Sequence, residues 1–396
     1  MKTYKNLFQK VCEFENLYNA YLKARRGKCD SPEVLRFIYN LENELLKLQR
    51  KLKNQTYKTG KYRNFIIFEP KERKISALPF RDRIVHHAIC SVIVSIFEKK
   101  FIYDSYACRK GKGTHTGADR IQKFIRESNH NCYVLKCDVS KYFPSVNHEI
   151  LKQLIREKIA DKKLLQLLDK IIDSSESENS TSSDSGEQKG IPIGNLTSQL
   201  FANIYLNKLD EYVKYELKIK YYIRYMDDFI ILHESKQELH KIKEKVILFF
   251  ASMRLTLHPK KANIFPITSG IDFLGYRIFN NYRLVRKSTV KRFLKNVKRK
   301  LKKYDSGIIN FDCEDSNTPV VLDTSEMQNI SENQKLKPLN YDPTLKNEVL
   351  IYRHLQKPFV FDKLMESFNS WESYMSYANS YALKKSLYER YFKNVA

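Results

Sequence analysis

Apolar positions recur at helical spacing from the start of the chain. Leu7, Val11, Phe14, Tyr18 and Tyr21 fall on one stripe, and Val34, Ile38, Leu41, Leu45, Leu48 and Leu52 on a second. The pattern predicts an N-terminal helical segment over residues 1–60. Ser31-Pro32 reads as an N-cap followed by proline at the first helical position. The second stripe alternates steps of four and three, as a coiled coil does, but at this length two helices packed on each other are the expectation.

From Lys61 the period changes. Asn64–Phe68 and Lys74–Leu78 read as strands around the turn Glu69-Pro70-Lys71-Glu72, and a buried helix is expected from Asp82 to Glu98. Cys132–Val139 is a short apolar strand, and Tyr222–His233 a pair of strands joined by a tight polar turn. Strands and helices alternate without a fixed repeat, which predicts a mixed body and excludes a solenoid.

Two stretches depart from this composition. Residues 173–189 hold five acids and one lysine among serines, and read as a disordered acidic loop. Residues 304–343 hold eight acids and two lysines, an acidic insertion. Between them, Arg286–Lys303 carries ten Lys or Arg, with Val290, Phe293, Leu294, Val297 and Leu301 on one face. That face is wide enough to pack on protein, leaving a solvated cationic face over nucleic acid. A last helix, Leu364–Phe392, is aromatic-rich at helical spacing through Phe368, Trp371 and Met375.

Charge sharpens the picture. Among 396 residues, 71 Lys or Arg against 45 Asp or Glu leave a formal net charge of +26, so a polyanionic partner is expected. Seven cysteines form no C-x-x-C pair, which argues against a zinc ribbon and a disulfide framework. No apolar run is long enough to span a bilayer and no secretory signal is visible, so no membrane role and a cytoplasmic setting are expected.

The chemistry-bearing residues are three aspartates. Tyr225-Met226-Asp227-Asp228 lies between apolar strands, where adjacent carboxylates are costly unless paired or bound to cations. Asp-Asp alone is more often a turn facing water. Asp138, which closes the strand Tyr133–Cys137, changes that balance. A strand-end Asp facing a carboxylate hairpin is what two-metal phosphoryl transfer needs, with Mg²⁺ the cation that carboxylates suit. Phe143 then stands where an aromatic ring can press on a sugar 2′ position.

These blocks, in order from about Arg63 to Tyr276, resemble a reverse transcriptase, and Tyr225–Asp228 matches the family's Y-x-D-D hairpin in full. The resemblance implies an α+β right-hand polymerase with fingers and palm over 61–285 and a helical thumb over 286–396. It implies two Mg²⁺ ions bound by Asp138, Asp227 and Asp228, with Val139 beside Asp138. Arg73-Lys74-Ile75-Ser76 and Arg81–Val85 resemble the fingers block, making Arg73 and Lys71 triphosphate ligands. Ser105–His115 resembles the next basic loop, from which Arg109 is selected as a nucleic-acid contact. Leu255–Lys261 resembles the block whose lysine protonates pyrophosphate, with Lys261 and Lys260 both open. Phe273-Leu274-Gly275-Tyr276 resembles the primer grip.

Gly190–Gln199 corresponds to the palm block usually written Pro-Gln-Gly-x-x-x-Ser-Pro. Here Ile193 replaces Gln ahead of Gly194, Ser198 starts a helix, and Gln199 replaces Pro. This I-G-N-x-x-S-Q form resembles the reverse transcriptases of diversity-generating retroelements, which copy a template RNA with errors at adenines. That resemblance implies template RNA, a cDNA primer end and dNTPs as partners, together with a small basic accessory protein. The alternatives are a defence-associated or retron-like reverse transcriptase making cDNA against phage, and an RNA-binding protein with a dead polymerase fold.

Overall fold

The computed structural model describes residues 3–68, 72–128, 131–174, 188–305, 369–371 and 373–378, without side chains for 300–305. The 69–71 turn with Lys71, most of the acidic loop (175–187), the acidic insertion from 306 onward and most of the last helix lie outside them. The chain divides into two compact units, one from residue 1 to Leu274 with Ile278–Asn281, the other Gly275–Arg277 with everything from Tyr282.

The N-terminal stripes are each cut in two. Helix α1 (Phe8–Cys12) and α2 (Phe14–Ala24) break at Glu13, and α3 (Pro32–Tyr39) and α4 (Leu41–Lys53) break at Asn40, where the backbone leaves helical geometry. The first break turns Phe14 and Tyr18 outward, while Phe8, Leu17, Ala20 and Tyr21 form the buried face. Pro32 occupies the expected first turn, but the Ser31 side chain makes no capping bond.

Strands β1 (Arg63–Phe68) and β2 (Glu72–Ala77) form an antiparallel ribbon, followed by α5 (Phe80–Glu98). This helix starts two residues before Asp82, because Pro79 is its N-cap and Glu33 Oε1 accepts the Phe80 amide at 2.6 Å. Its apolar face, including Ile84, Ala88, Ile89 and Ile93, is fully buried. Helix α6 (Thr114–Glu127) leads to the strand β3 (Tyr133–Asp138).

After α7 (Tyr142–Ser145), α8 (His148–Arg156) and α9 (Lys162–Asp173) comes α10 (Leu196–Glu211), which continues into a π-helical turn at Tyr212–Glu216. Helix α10 begins at Leu196, so Ser198 lies inside the first turn instead of starting it. Strands β4 (Tyr221–Tyr225) and β5 (Asp228–His233) lead to α11 (Lys236–Ser252), which the Ser235 hydroxyl caps by accepting the Glu238 amide at 3.2 Å. With β6 (Asn263–Pro266) they complete an antiparallel sheet in the order β4-β5-β3-β6. Phe229, Ile230, Ile231 and Leu232 are all buried, so both faces of β5 are covered and its sequence reads as an unbroken apolar run.

Ile271–Phe273 (β7), Tyr276–Ile278 (β8) and Arg283–Val285 (β9) are short strands, followed by the basic helix α12 (Lys287–Asp305). Within the second unit Val297 is buried and Phe293 stacks on Trp371 at 4.0 Å, while Lys291, Arg292, Lys295, Lys298 and Arg299 are exposed. No described helix is long and apolar enough to cross a membrane.

Candidate active site

The site is assembled by backbone pairing between distant segments. β3 runs antiparallel to β5 with Asp138 opposite Asp228, and β4 pairs with β5 so that Tyr225 faces Asp228 across the two-residue turn Met226-Asp227. The Val139 amide donates to the Asp227 carbonyl at 3.3 Å. Three carboxylates therefore stand at one end of the sheet. Met226 has φ 56°, a left-handed value that a residue with a Cβ adopts only under constraint. Burial pushes the Asp227 carboxyl above its ordinary range, while its own backbone amide and the charges of Arg73 and Arg224 pull the other way.

Other blocks hang from this frame. The His258 amide donates to the Asp138 carbonyl at 2.8 Å, and the Ser140 amide to the Thr256 carbonyl at 2.8 Å, which brings the 255–261 block alongside. The Ile191 amide donates to the Phe143 carbonyl at 2.9 Å, and the Ser76 amide to the Ile193 carbonyl at 3.0 Å. The Gly190–Asn195 loop is thus laced to the Phe143 turn on one side and to β2 on the other. Gly194 has φ 122°, and a Cβ there would stand 3.2 Å from Ile75 Cγ2 and 3.3 Å from the Ser76 carbonyl oxygen, so glycine lets this loop lie close to β2.

Two ammonium groups meet the carboxylates. Lys261 Nζ donates to Asp138 Oδ2, and Lys136 Nζ lies 3.6 Å from Asp228 Oδ2 while donating to the Asp272 carbonyl at 2.5 Å. Of the two lysines the sequence left open, Lys261 reaches the carboxylates and Lys260 is exposed. Among the described residues no three or more His, Cys, Asp or Glu groups close on one point as a metal cage. Mg²⁺ does not need such a cage, since it is held by one or two carboxylates together with water and substrate phosphates. Three carboxylates at one end of the sheet are the hard oxygen donors that Mg²⁺ takes, and a bound cation would offset the burial that raises Asp227.

The remaining expected site residues are placed as follows. Arg73 is exposed on β2, Phe143 is half-buried and edge-on to Tyr142 at 5.7 Å, and Gln199 is exposed in the first turn of α10. Arg109 turns inward. Its guanidinium bonds Glu98 and the carbonyls of Ile102 and Ser105 and lies over the Phe101 ring, so it anchors the loop instead of presenting a charge to nucleic acid. Phe273 and Tyr276 are fully buried and cannot touch a primer through their rings. Tyr276 stacks on Tyr374 at 4.9 Å, and Gly275, at φ 87°, lacks the Cβ that would strike the Tyr374 hydroxyl.

Sequence reasoning missed Arg224, Asp210 and Lys136. Arg224 is fully buried in β4, its guanidinium forked on Asp210 at 2.7 and 2.6 Å, and Tyr222 donates to the same carboxylate at 2.6 Å. A charged residue inside an apolar strand is the available signal, because such a residue is almost never fully buried without a partner.

Comparison with known proteins agrees with this assembly. The family model described as reverse transcriptase (RNA-dependent DNA polymerase) matches residues 58–278. The group II intron-encoded protein LtrA of Lactococcus lactis subsp. cremoris is 27% identical over 327 residues, covering 66% of this chain and 53% of its own length. Protein YkfC of Escherichia coli K12 is 26% identical over 243 residues, 52% of this chain and 63% of its own. The chain thus spans about half the length of the first of these curated relatives. Among solved structures, apo telomerase of Candida tropicalis truncated from its C-terminal domain aligns with a TM-score of 0.44 at 15% identity, over 57% of this chain and 55% of that one, a likeness too slight to argue from. The four-stranded sheet that carries the three aspartates falls wholly inside the matched residues, which make up more than half of the chain, and the chain belongs to the reverse transcriptase family.

Proposed function

We propose that this protein is an RNA-directed DNA polymerase that extends a primer 3′ end with deoxynucleotides. The observation carrying the reading is the register that sets Asp138 opposite Asp228, with Asp227 in the turn between β4 and β5. In this reading Asp138, Asp227 and Asp228, with Val139 beside them, hold two Mg²⁺ ions. When bound, the ions stabilise charge on the attacking and leaving oxygens of an in-line displacement.

The chain's own residues divide the remaining work. Arg73, whose charge already acts on Asp227, meets the incoming triphosphate through charge-assisted bonds. Lys261 exchanges Asp138 for the leaving pyrophosphate and gives it a proton. Phe143 crowds the sugar 2′ position, and the Ile193-Gly194 backbone, fixed by Ser76, shapes the nucleotide floor. Residues 61–285 act as fingers and palm, and the exposed cationic face of α12 lies along the template–primer backbone as part of a helical thumb.

The finer reading is a mutagenic enzyme of the diversity-generating type, acting on a retroelement template RNA with a small basic accessory protein. What supports it is Ile193 in the I-G-N-x-x-S-Q block, where an apolar side chain gives the nucleotide no hydrogen bond and weakens discrimination. Its test is sequencing of cDNA made by the purified protein on a defined RNA. Errors concentrated opposite template adenines are expected, and accurate copying would transfer the reading to cDNA synthesis in phage defence.

A further inference from the structure

We propose that Arg224 is the positioning residue of the carboxylate hairpin, holding the left-handed Met226 turn and thereby setting where Asp227 and Asp228 stand. The inference deepens the polymerase reading, and its kinetic arm rests on that reading while its exchange arm does not.

The guanidinium has five N–H donors, and five bonds use them. Nε and Nη2 fork Asp210 at 2.7 and 2.6 Å, Nη2 also reaches Ser105 Oγ at 3.1 Å, and Nη1 reaches Asn203 Oδ1 at 3.2 Å and the Met226 carbonyl at 2.9 Å. The Arg224 backbone is fixed as well, its amide donating to the Asp104 carbonyl and its carbonyl accepting from the Tyr106 amide, both at 2.9 Å. One fully buried side chain therefore joins α10, the 104–106 segment and the turn that carries the carboxylates.

Stability alone does not account for this arrangement. A buried ion pair can often be replaced by apolar groups of similar volume at no cost, so its presence is weak evidence of a purely stabilising role. The turn supplies a second role. Its first residue sits in a region that glycine enters freely and methionine does not, and such a conformation persists only where its surroundings over-determine it. Among the described hydrogen bonds, the Arg224 Nη1 bond is the side-chain bond to the Met226 carbonyl. Lysine cannot reproduce it, since a single ammonium does not fork a carboxylate and reach a carbonyl on the far side together.

The test compares wild type with Arg224→Lys, Met226→Gly and Arg224→Lys/Met226→Gly. Hydrogen exchange of the peptide covering 224–229 is read beside the kcat and nucleotide KM of single-nucleotide addition on an RNA template. Arg224→Lys should speed exchange at the hairpin with the rest of the sheet unchanged, and lower kcat by about 100-fold, the scale of an ångström misplacement, with KM moved little. Adding Met226→Gly, which removes the Cβ that makes the turn strained, should recover about tenfold of that loss relative to Met226→Gly alone. A merely structural ion pair would give no such recovery. Wild-type hairpin exchange in Arg224→Lys, or no recovery on adding glycine, overturns the proposal. Should Arg224→Lys fail to fold, the apolar set Arg224→Met/Asp210→Leu/Tyr222→Phe replaces it. That set should melt near wild type yet keep the fast hairpin exchange, and slow exchange there overturns the proposal equally. A wild-type protein that adds no nucleotide would sink the polymerase reading, while hairpin exchange would still decide the role of Arg224.

Discussion

The carboxylate of Asp161 offers the sharpest test of how the N-terminal helices are tied to the rest of the first unit. Oδ2 accepts the amides of Leu7 at 2.7 Å and Phe8 at 2.9 Å, the entry to α1, while Oδ1 caps α9 by accepting the Leu164 amide at 3.2 Å. Tyr4 adds two backbone bonds beside it, donating to the Lys158 carbonyl and accepting from the Ala160 amide. Asp161→Ala removes one N-cap, about 1 kcal/mol, and two further charge-assisted bonds of about 1.5–3 kcal/mol each when buried. Because the site is only partly buried, water recovers part of this, and a net cost of about 2–4 kcal/mol is expected. For a unit of this size that corresponds to a fall in melting temperature of about 3–7 °C.

The sign with pH is fixed by the direction of the shift. Burial raises the Asp161 pKa, but the amides of Phe8, Leu164, Leu7 and Lys163 outweigh it and hold it below the usual carboxylate value. A carboxyl depressed on folding contributes stability above its unfolded pKa, about 3.9, and loses that contribution as pH falls through the lower folded value. The difference between wild type and Asp161→Asn, read by thermal and urea unfolding, should therefore be constant from pH 7 to about 5 and narrow below 4. A change in Asp161→Ala below about 0.5 kcal/mol, the range of an ordinary surface substitution, would refute the reasoning.

Three further outcomes follow from the site. Lys261→Ala should lower the single-turnover rate of nucleotide addition by about 10²-fold, with Lys260→Ala near wild type, and equal effects would remove Lys261 from its role. Gly194→Ala combines a disallowed φ of 122° with a Cβ against Ile75 and Ser76, and should raise the nucleotide KM several-fold by displacing the loop from β2; an unchanged KM in a folded variant counts against the loop's contact with nucleotide. Ile193→Gln should lower misincorporation opposite template adenine in sequenced cDNA, and an unchanged spectrum would separate fidelity from that side chain.

Motifs confined to one segment were legible in the sequence, while placements decided by tertiary partners were not. Tyr225–Asp228 and Asp138 announced themselves, because acids in apolar strands are conspicuous, and the sheet sets them in register. The helix breaks at Glu13 and Asn40 were invisible, since neither residue is a strong breaker and the apolar spacing runs through both. Arg109 shows the limit of reading charge. A basic residue in a glycine-containing loop looks exposed, yet Glu98 and two carbonyls draw it inside. Ser31 and Ser198 both looked like N-caps; Ser31 does stand at the N-cap of α3 with Pro32 after it but makes no side-chain capping bond, while Ser198 falls inside the first turn of α10, whose N-cap is Asn195. Phe273 and Tyr276, expected at a primer contact, both face inward. Arg224 lay in plain sight within the apolar run, and its purpose emerges only when Asp210 and Met226 are brought to it by the fold.

The central claim is that Asp138 and the Asp227-Asp228 hairpin carry metal-dependent, RNA-templated DNA synthesis. Its most direct test is primer extension by the purified protein on a defined RNA template, with Mg²⁺ or chelator, beside Asp138→Ala and Asp227→Ala/Asp228→Ala variants shown to be folded. Wild type is expected to make cDNA with Mg²⁺ and none with chelator, and neither variant is expected to make any. Product that survives chelation or loss of the aspartates, or no product from wild type supplied with its native RNA, would contradict it.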